Sequence, residues 1–180
     1  MKPLTITSRT LGGFLGALLV SGCMTAGGGS APSKPSKPSK PYATTGQAFT
    51  QFKQICLKSP FNAPRNIAAF RASPVFLPKE NTFAIEGIKI TSFKHTTVAM
   101  SGMVSDLAGT RSCTITYTPA GNQENEALVA AALMNGIAGI KARPSGIKGG
   151  GFVIYSYKGG RLMVQVDHKR GGISLSTVKQ

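Results

Sequence analysis

Apolar residues return at helical spacing soon after Tyr42. Ala48, Phe49, Phe52, Ile55 and Cys56 fall on one side of a helix, with Cys56 on the buried side. Thr44 and Gln47 have the spacing of a capping box at its start, and Lys58-Ser59-Pro60 ends it. A short second helix is predicted around Pro64 to Arg71, where Ile67 and Phe70 stand three apart. Pro74 and Pro78 then break the chain.

From Thr82 the period changes to two. Phe83 and Ile85 alternate, Gly87 is read as a bulge, and Ile88 and Ile90 resume on the other phase. Val98, Met100, Gly102 and Val104 make a second alternating run. Cys113, Ile115 and Tyr117 make a third, with Thr114, Thr116 and Thr118 on the opposite face. The pattern predicts an antiparallel meander with one wet side.

Gly121-Asn122, followed by Glu124 and Glu126, opens another helix, where acids suit the N-terminal dipole. Its body, ALVAAALMNGIAGI, is apolar nearly all round, which predicts burial against a sheet. The segment is too short for a membrane span and contains Asn135; a homodimer face is the minority reading. Three final strands, GFVIYSY, RLMVQV and GISLSTV, are separated by Lys158-Gly159-Gly160-Arg161 and by Asp167 to Gly172. Paired glycines suit hairpin turns because the primed types need positive φ. The predicted order is helix, short helix, three strands, helix, three strands. This is an α+β domain with helices packed on an antiparallel sheet.

The residues before Tyr42 carry a different pattern. Ser33-Lys34-Pro35, Ser36-Lys37-Pro38 and Ser39-Lys40-Pro41 form a repeat with nothing to bury, and its prolines and like charges favour an extended stalk. At the start, Lys2 and Arg9 precede an apolar run, Leu11 to Val20, too short to cross a bilayer as a helix. Small residues then lead to a cysteine. The stretch Val20-Ser21-Gly22-Cys23 resembles the lipobox of bacterial lipoproteins. The resemblance implies cleavage before Cys23, lipidation of its sulfur and acylation of its new amino group. Met24 stands where known lipoproteins retained in the inner membrane carry aspartate. In a bacterium with two membranes, the resemblance therefore implies an outer-membrane lipoprotein facing the periplasm. The expected organisation is a signal peptide over 1–22, a lipid-anchored linker over 23–41 and one globular domain over 42–180.

Charge narrows the partners. Lys and Arg number 21 against six Asp and Glu, for a net charge of +15; removing Lys2 and Arg9 lowers it by two, to +13. So basic a surface attracts anionic partners and is salt-sensitive. Nucleic acid is disfavoured by the exported context and by the lack of any RNP-like, zinc-finger or recognition-helix signature. With Cys23 assigned to lipid, Cys56 and Cys113 remain, and an even remainder in an oxidising compartment predicts one disulfide.

Catalytic chemistry has little to work with. Ser145 lies in ARPSG, which lacks the first glycine of a nucleophile elbow. His95 and His168 are the only imidazoles; His168 is read as a solvated turn residue and His95 as solvated at a strand end. The carboxylates are scattered, and Lys148-Gly149-Gly150-Gly151 lacks the spacing of a phosphate loop. No catalytic residue, metal site or cofactor is expected. The hairpin order instead predicts that Lys141, Arg143, Lys148, Lys169 and Arg170 gather at one end of the sheet and face an anionic partner. The sequence thus reads as a non-enzymatic, lipid-anchored envelope protein, a binding or assembly module with a basic surface. The alternatives are a direct binder of anionic envelope glycan or lipid, and an envelope hydrolase. A clustering of His95, His168 and serines in one cleft would favour the hydrolase.

Overall fold

The computed structural model describes residues 40–180, apart from 86–87, 108 and 142–150. Within them the fold is mixed α+β. Helices α1 (Thr45–Phe52), α2 (Ala63–Ala72) and α3 (Gln123–Asn135) accompany eight strands. These are β1 (Phe76–Ile85), β2 (Ile88–His95), β3 (Met100–Leu107), β4 (Thr110–Tyr117), β5 (Ile140–Lys141), β6 (Phe152–Tyr157), β7 (Gly160–Asp167) and β8 (Gly172–Lys179). All join one antiparallel sheet in the order β1-β2-β3-β4-β8-β7-β6-β5. Two meanders are therefore sutured edge to edge where β4 pairs with β8, and Ile115 opposite Leu175 marks the seam.

The first meander has four strands rather than the expected three. The run read as one strand from Phe83 to Ile90 is a hairpin, because Ile85 pairs with Ile88; Gly87 lies outside the described residues. Pro78 sits inside β1 instead of breaking the chain, opposite Phe93. β1 is an edge strand, where a residue without an N–H need not forfeit a ladder bond.

The helices form as their ends dictate. At α1, Thr44 and Gln47 complete the capping box: Gln47 N–H donates to Thr44 Oγ1 at 3.1 Å, and Thr44 N–H donates to Gln47 Oε1 at 3.0 Å. A π-helical turn, Lys53–Leu57, continues α1 and carries the buried Ile55 and Cys56. At α2, Asn62 Oδ1 accepts from Arg65 N–H at 3.1 Å, and Pro64 stands in the first turn, where its missing donor is harmless. At α3, Asn122 Oδ1 accepts from Glu124 N–H (2.9 Å) and Asn125 N–H (3.1 Å).

One side of the sheet holds the core. Phe70 of α2 stacks on Phe93 of β2 with centroids 4.4 Å apart and meets Phe76 edge-on at 5.1 Å. Gly102 makes room for this ring, since a Cβ there would stand 2.1 Å from Phe70 Cε1. Cys56 and Cys113, both fully buried, lie at disulfide distance with Cα atoms 5.5 Å apart, joining the π-helical turn to β4. Tyr155 on β6 donates to the Ala131 carbonyl of α3 at 2.9 Å. Tyr117 on β4 shares a 2.9 Å hydrogen bond with Thr45, which in turn donates to Glu126. That chain of contacts ties α1, α3 and the sheet together at one end, and burial pushes the Tyr117 phenol up to about 12, so it stays a neutral partner.

α3 departs from expectation. It ends at Asn135, five residues before the apolar run does, with Gly136 at its C-cap and the chain turning through Gly139 at φ 86°. Nor is it buried all round. Ala127, Ala130, Ala131 and Met134 face the core, whereas Leu128, Val129 and Leu133 are 56%, 49% and 36% exposed. The sheet is only on one side of this helix, so its second apolar face stays outside.

Candidate functional site

The other side of the sheet carries the alternate residues of the same strands. Ser101, Thr116, Ser174 and Gln165 stand in one cross-strand row on β3, β4, β8 and β7. Met103, Thr114, Ser176 and Met163 make the next row, and Ser105 and Ser112 begin a third. Neighbouring hydroxyls bond to each other: Thr116 with Ser174 at 2.8 Å, Thr114 with Ser176 at 2.9 Å, and Ser105 with Ser112 at 2.6 Å. β-branched and small hydroxyl residues alternating with apolar ones produce this face, as the Thr114, Thr116 phase predicts.

Each bonded hydroxyl pair uses one donor and one lone pair. One donor and up to three lone-pair positions then remain for a ligand. Strand spacing places Ser101, Thr116 and Ser174 along a line of about 10 Å. Ser101, Thr116, Ser174 and Gln165 of the first row, with Met103, Thr114 and Ser176 of the second, line an open cleft of about 860 Å³. Cations stand at its border: Lys40, Lys94 and Arg170 all line it, against a single acid, Asp167. Asp167 is already engaged, since its Oδ1 accepts from the N–H groups of Lys169 and Arg170 at 3.1 Å each. Arg170 Nε lies 4.0 Å from its Oδ2 with an almost fully exposed side chain, so that pairing is weak and solvent-screened.

The basic residues read from the sequence divide between the two ends of the sheet. Lys169 and Arg170 occupy the β7–β8 turn, at the end where Pro41 O accepts from Ala99 N–H and the chain enters the sheet. Lys141 does not join them. It pairs with Ser156, which pairs with Arg161, so it belongs to the far end beside the Lys158-Gly159 turn. The sequence suggested a loop directly linking helix to β6; the short strand β5 was not legible and runs the chain to the opposite edge first. Arg143 and Lys148 lie outside the described residues, as does Cys23. Lys40 and Lys94 were not singled out in the sequence, although Lys94 has the wet-face phase of β2.

His95 is also a correction. It is buried rather than solvated, lies edge-on to Phe76 at 5.2 Å, and its Nδ1 accepts from the N–H groups of Thr97 (3.2 Å) and Val98 (3.4 Å). Lys40 reaches the same corner and donates to the carbonyls of His95 and Thr96. Burial, reinforced by the Lys40 charge, holds the imidazole below its ordinary value. The folded protein therefore favours neutral His95, and stability from this group is lost as the pH falls from about 6.5, where the unfolded chain takes up its proton, towards the lower value of the folded chain. His168 is exposed in the β7–β8 turn. Strands β3 and β4 lie between β2, which ends at His95, and the β7–β8 turn that holds His168, so the two imidazoles do not converge. Among the described residues no three His, Cys, Asp or Glu side chains gather as metal ligands, and no helix is long and apolar enough to cross a membrane.

No family, curated protein or solved structure matches this chain.

Proposed function

We propose that this protein is a non-enzymatic, lipid-anchored cell-envelope module that binds an anionic glycan on the open face of its sheet. The anchor is Cys23, through the leader that resembles a lipobox, and the expected location is the outer membrane facing the periplasm. The observation that carries the binding reading is the cleft itself: rows of paired hydroxyls with spare donors and acceptors, bordered by Lys40, Lys94 and Arg170. Hydroxyl and amide groups on a rigid grid suit a polyhydroxylated chain, and border cations suit its charged substituents. The separation of His95 from His168 supports binding over hydrolysis. Lys169 belongs to the same border by its place in the turn, while Lys141 belongs to the other end.

The test is affinity for purified anionic envelope glycan at low and high salt. Reversing Lys94 and Arg170 together should weaken binding by about tenfold or more at low salt and flatten its salt dependence. Reversing Lys158 and Arg161 at the far end should do much less. Equal loss at both ends would mean that diffuse charge alone attracts the ligand. Binding to anionic vesicles but not to glycan would move the ligand to a lipid head group. Intact-mass measurement of the membrane fraction checks the anchor: an unmodified Cys23 would remove it from the proposal.

A further inference from the structure

A cross-strand row close to the β3–β4 turn carries four charges. Lys89 stands opposite Asp106, Asp106 opposite Arg111, and Arg111 opposite Lys179. The first three alternate in sign, which stabilises neighbouring strands. The last two are like charges directly opposite each other, which does the reverse, and they meet across the β4–β8 seam. Asp106 does not cancel them. It lies 3.6 Å from Arg111 Nε, with the two side chains 57% and 43% exposed, so that pair is weak and solvent-screened. Arg111 and Lys179 share the phase of the buried Cys113 and Thr177, which puts them on the helix side of the sheet. There they line an open cavity of about 400 Å³ together with Phe61, Asn62 and Lys158, and no Asp or Glu among the described residues lines it. Phe61 and Lys158 are the two non-glycine residues, among those described, with positive φ, at 63° and 44°. Lys158 opens the two-residue β6–β7 turn, a position that ordinarily takes Asn, Asp or Gly. Its ammonium rests 5.2 Å above the Tyr157 ring. Phe61 packs on Gly160, where a Cβ would stand 2.4 Å from the ring. Two strained residues thus hold the loop before α2 against the hairpin tip, and so fix the cavity's walls.

We propose that this cavity binds a phosphate group, held between Arg111 and Lys179 across the seam. Two cations set side by side on adjacent strands weaken the fold when empty, and an anion between them turns the repulsion into two attractions. A doubly charged oxyanion meets both cations, whereas a carboxylate would leave one of them unmet. The planar guanidinium fork of Arg111 matches two oxygens of a phosphate, and the ammonium of Lys179 takes a third as a point charge. The cavity is open, so the fourth oxygen can carry an ester that points to solvent. This inference is independent of the glycan reading, which uses the opposite side of the sheet and the cations Lys40, Lys94 and Arg170.

Thermal melting of the full chain tests it, with inorganic phosphate compared against chloride at matched ionic strength. Phosphate well above its dissociation constant should raise the wild-type melting temperature by about 2–6 °C and should do so saturably. Lys179→Gln should show two opposite effects. Without phosphate it should melt no lower than wild type, because the repulsion with Arg111 is gone. With phosphate it should gain little or nothing. A chain carrying Lys94→Glu and Arg170→Glu should keep the full wild-type response, which separates this site from the open face. Glycerol 3-phosphate distinguishes the sources: a matching rise assigns the site to phosphate esters, and a rise with inorganic phosphate alone assigns it to the free ion. A wild type that neither anion stabilises overturns the inference. So does a Lys179→Gln chain that still responds or that melts lower than wild type without phosphate, or a Lys94→Glu, Arg170→Glu chain that has lost the response.

Discussion

The two faces of the sheet are built from the same strands and teach opposite lessons. On the covered face Phe93, Val104, Ile115, Leu162, Val164 and Leu175 are almost completely buried beneath the helices. On the open face their sequence neighbours are Lys94, Ser105, Thr116, Met163, Gln165 and Ser174. One residue of phase separates a packed core from a hydroxyl grid. Stability is concentrated on the first face because buried apolar area, close contacts and the disulfide all lie there. The second face holds polar groups whose hydrogen-bonding capacity is only partly used. If this division is correct, substitutions on one face should move stability and leave the ligand alone, and substitutions on the other should do the reverse.

The largest effect is expected at Phe70. It is fully buried, stacked on Phe93 and seated over Gly102. Phe70→Ala should lower unfolding free energy by about 3–5 kcal/mol, read from the urea midpoint at unchanged slope. Gly102→Ala should also destabilise, because its methyl would occupy space the ring holds. The two changes together should be far less damaging than their sum, which a double-mutant cycle would measure. Simple additivity would mean that ring and glycine do not share that space.

The disulfide comes next. Cys56 and Cys113 are 57 residues apart in sequence, so the link closes a long loop of the unfolded chain. Replacing both with alanine should cost about 2–4 kcal/mol, with the secondary structure retained at moderate temperature. Recovery of two free thiols from freshly isolated protein would show that the pair is not linked in the native protein.

A smaller effect of opposite sign is expected within the covered face. Thr177 is fully buried opposite Cys113 and Leu162, and its hydroxyl has no hydrogen-bond partner among the described residues. Thr177→Val keeps the shape and removes the unsatisfied group, so it should stabilise by about 1 kcal/mol in the same denaturation measurement. A loss of stability would mean the hydroxyl is satisfied in solution.

How much of this was legible in the chain depended on whether a feature is local. The capping box at Thr44, the Asn122 start of α3 and the alternation through Cys113, Ile115 and Tyr117 are set by near neighbours, and the sequence reading found them. Pro78 misled because proline reads as a breaker unless its strand lies at an edge, and edge position is a property of the whole sheet. Lys141 was misplaced for the same reason: a two-residue strand is too short to show a period. The length of α3 was overestimated because its apolar composition continues beyond the point where Gly136 and Gly139 turn the chain. Its double-sided character was visible as apolarity all round, but burial on both sides would have required a second layer. The cleft was half visible. The threonine phase of β4 read as wet, yet nothing local says that β4 and β8 lie side by side across the seam.

The smallest expected change in stability is therefore the sharpest probe of that seam. Thr116 and Ser174 come from different meanders and meet only because β4 pairs with β8. Their 2.8 Å bond is on the open, partly solvated face, where a cross-strand hydroxyl pair is worth roughly 0.2–1 kcal/mol. Replacing both with alanine removes donor and acceptor together, so no buried polar group is orphaned and the net change should stay within about 0.5 kcal/mol. Glycan affinity should nevertheless fall, because the pair's spare donor and lone pairs sit in the middle of the line from Ser101 to Gln165. Thr177→Val, one residue of phase away on β8, should leave that affinity unchanged. A variant that binds as well as wild type would empty the hydroxyl grid of function and leave the border cations to carry the interaction. One that unfolds would show that the two faces are not energetically separate.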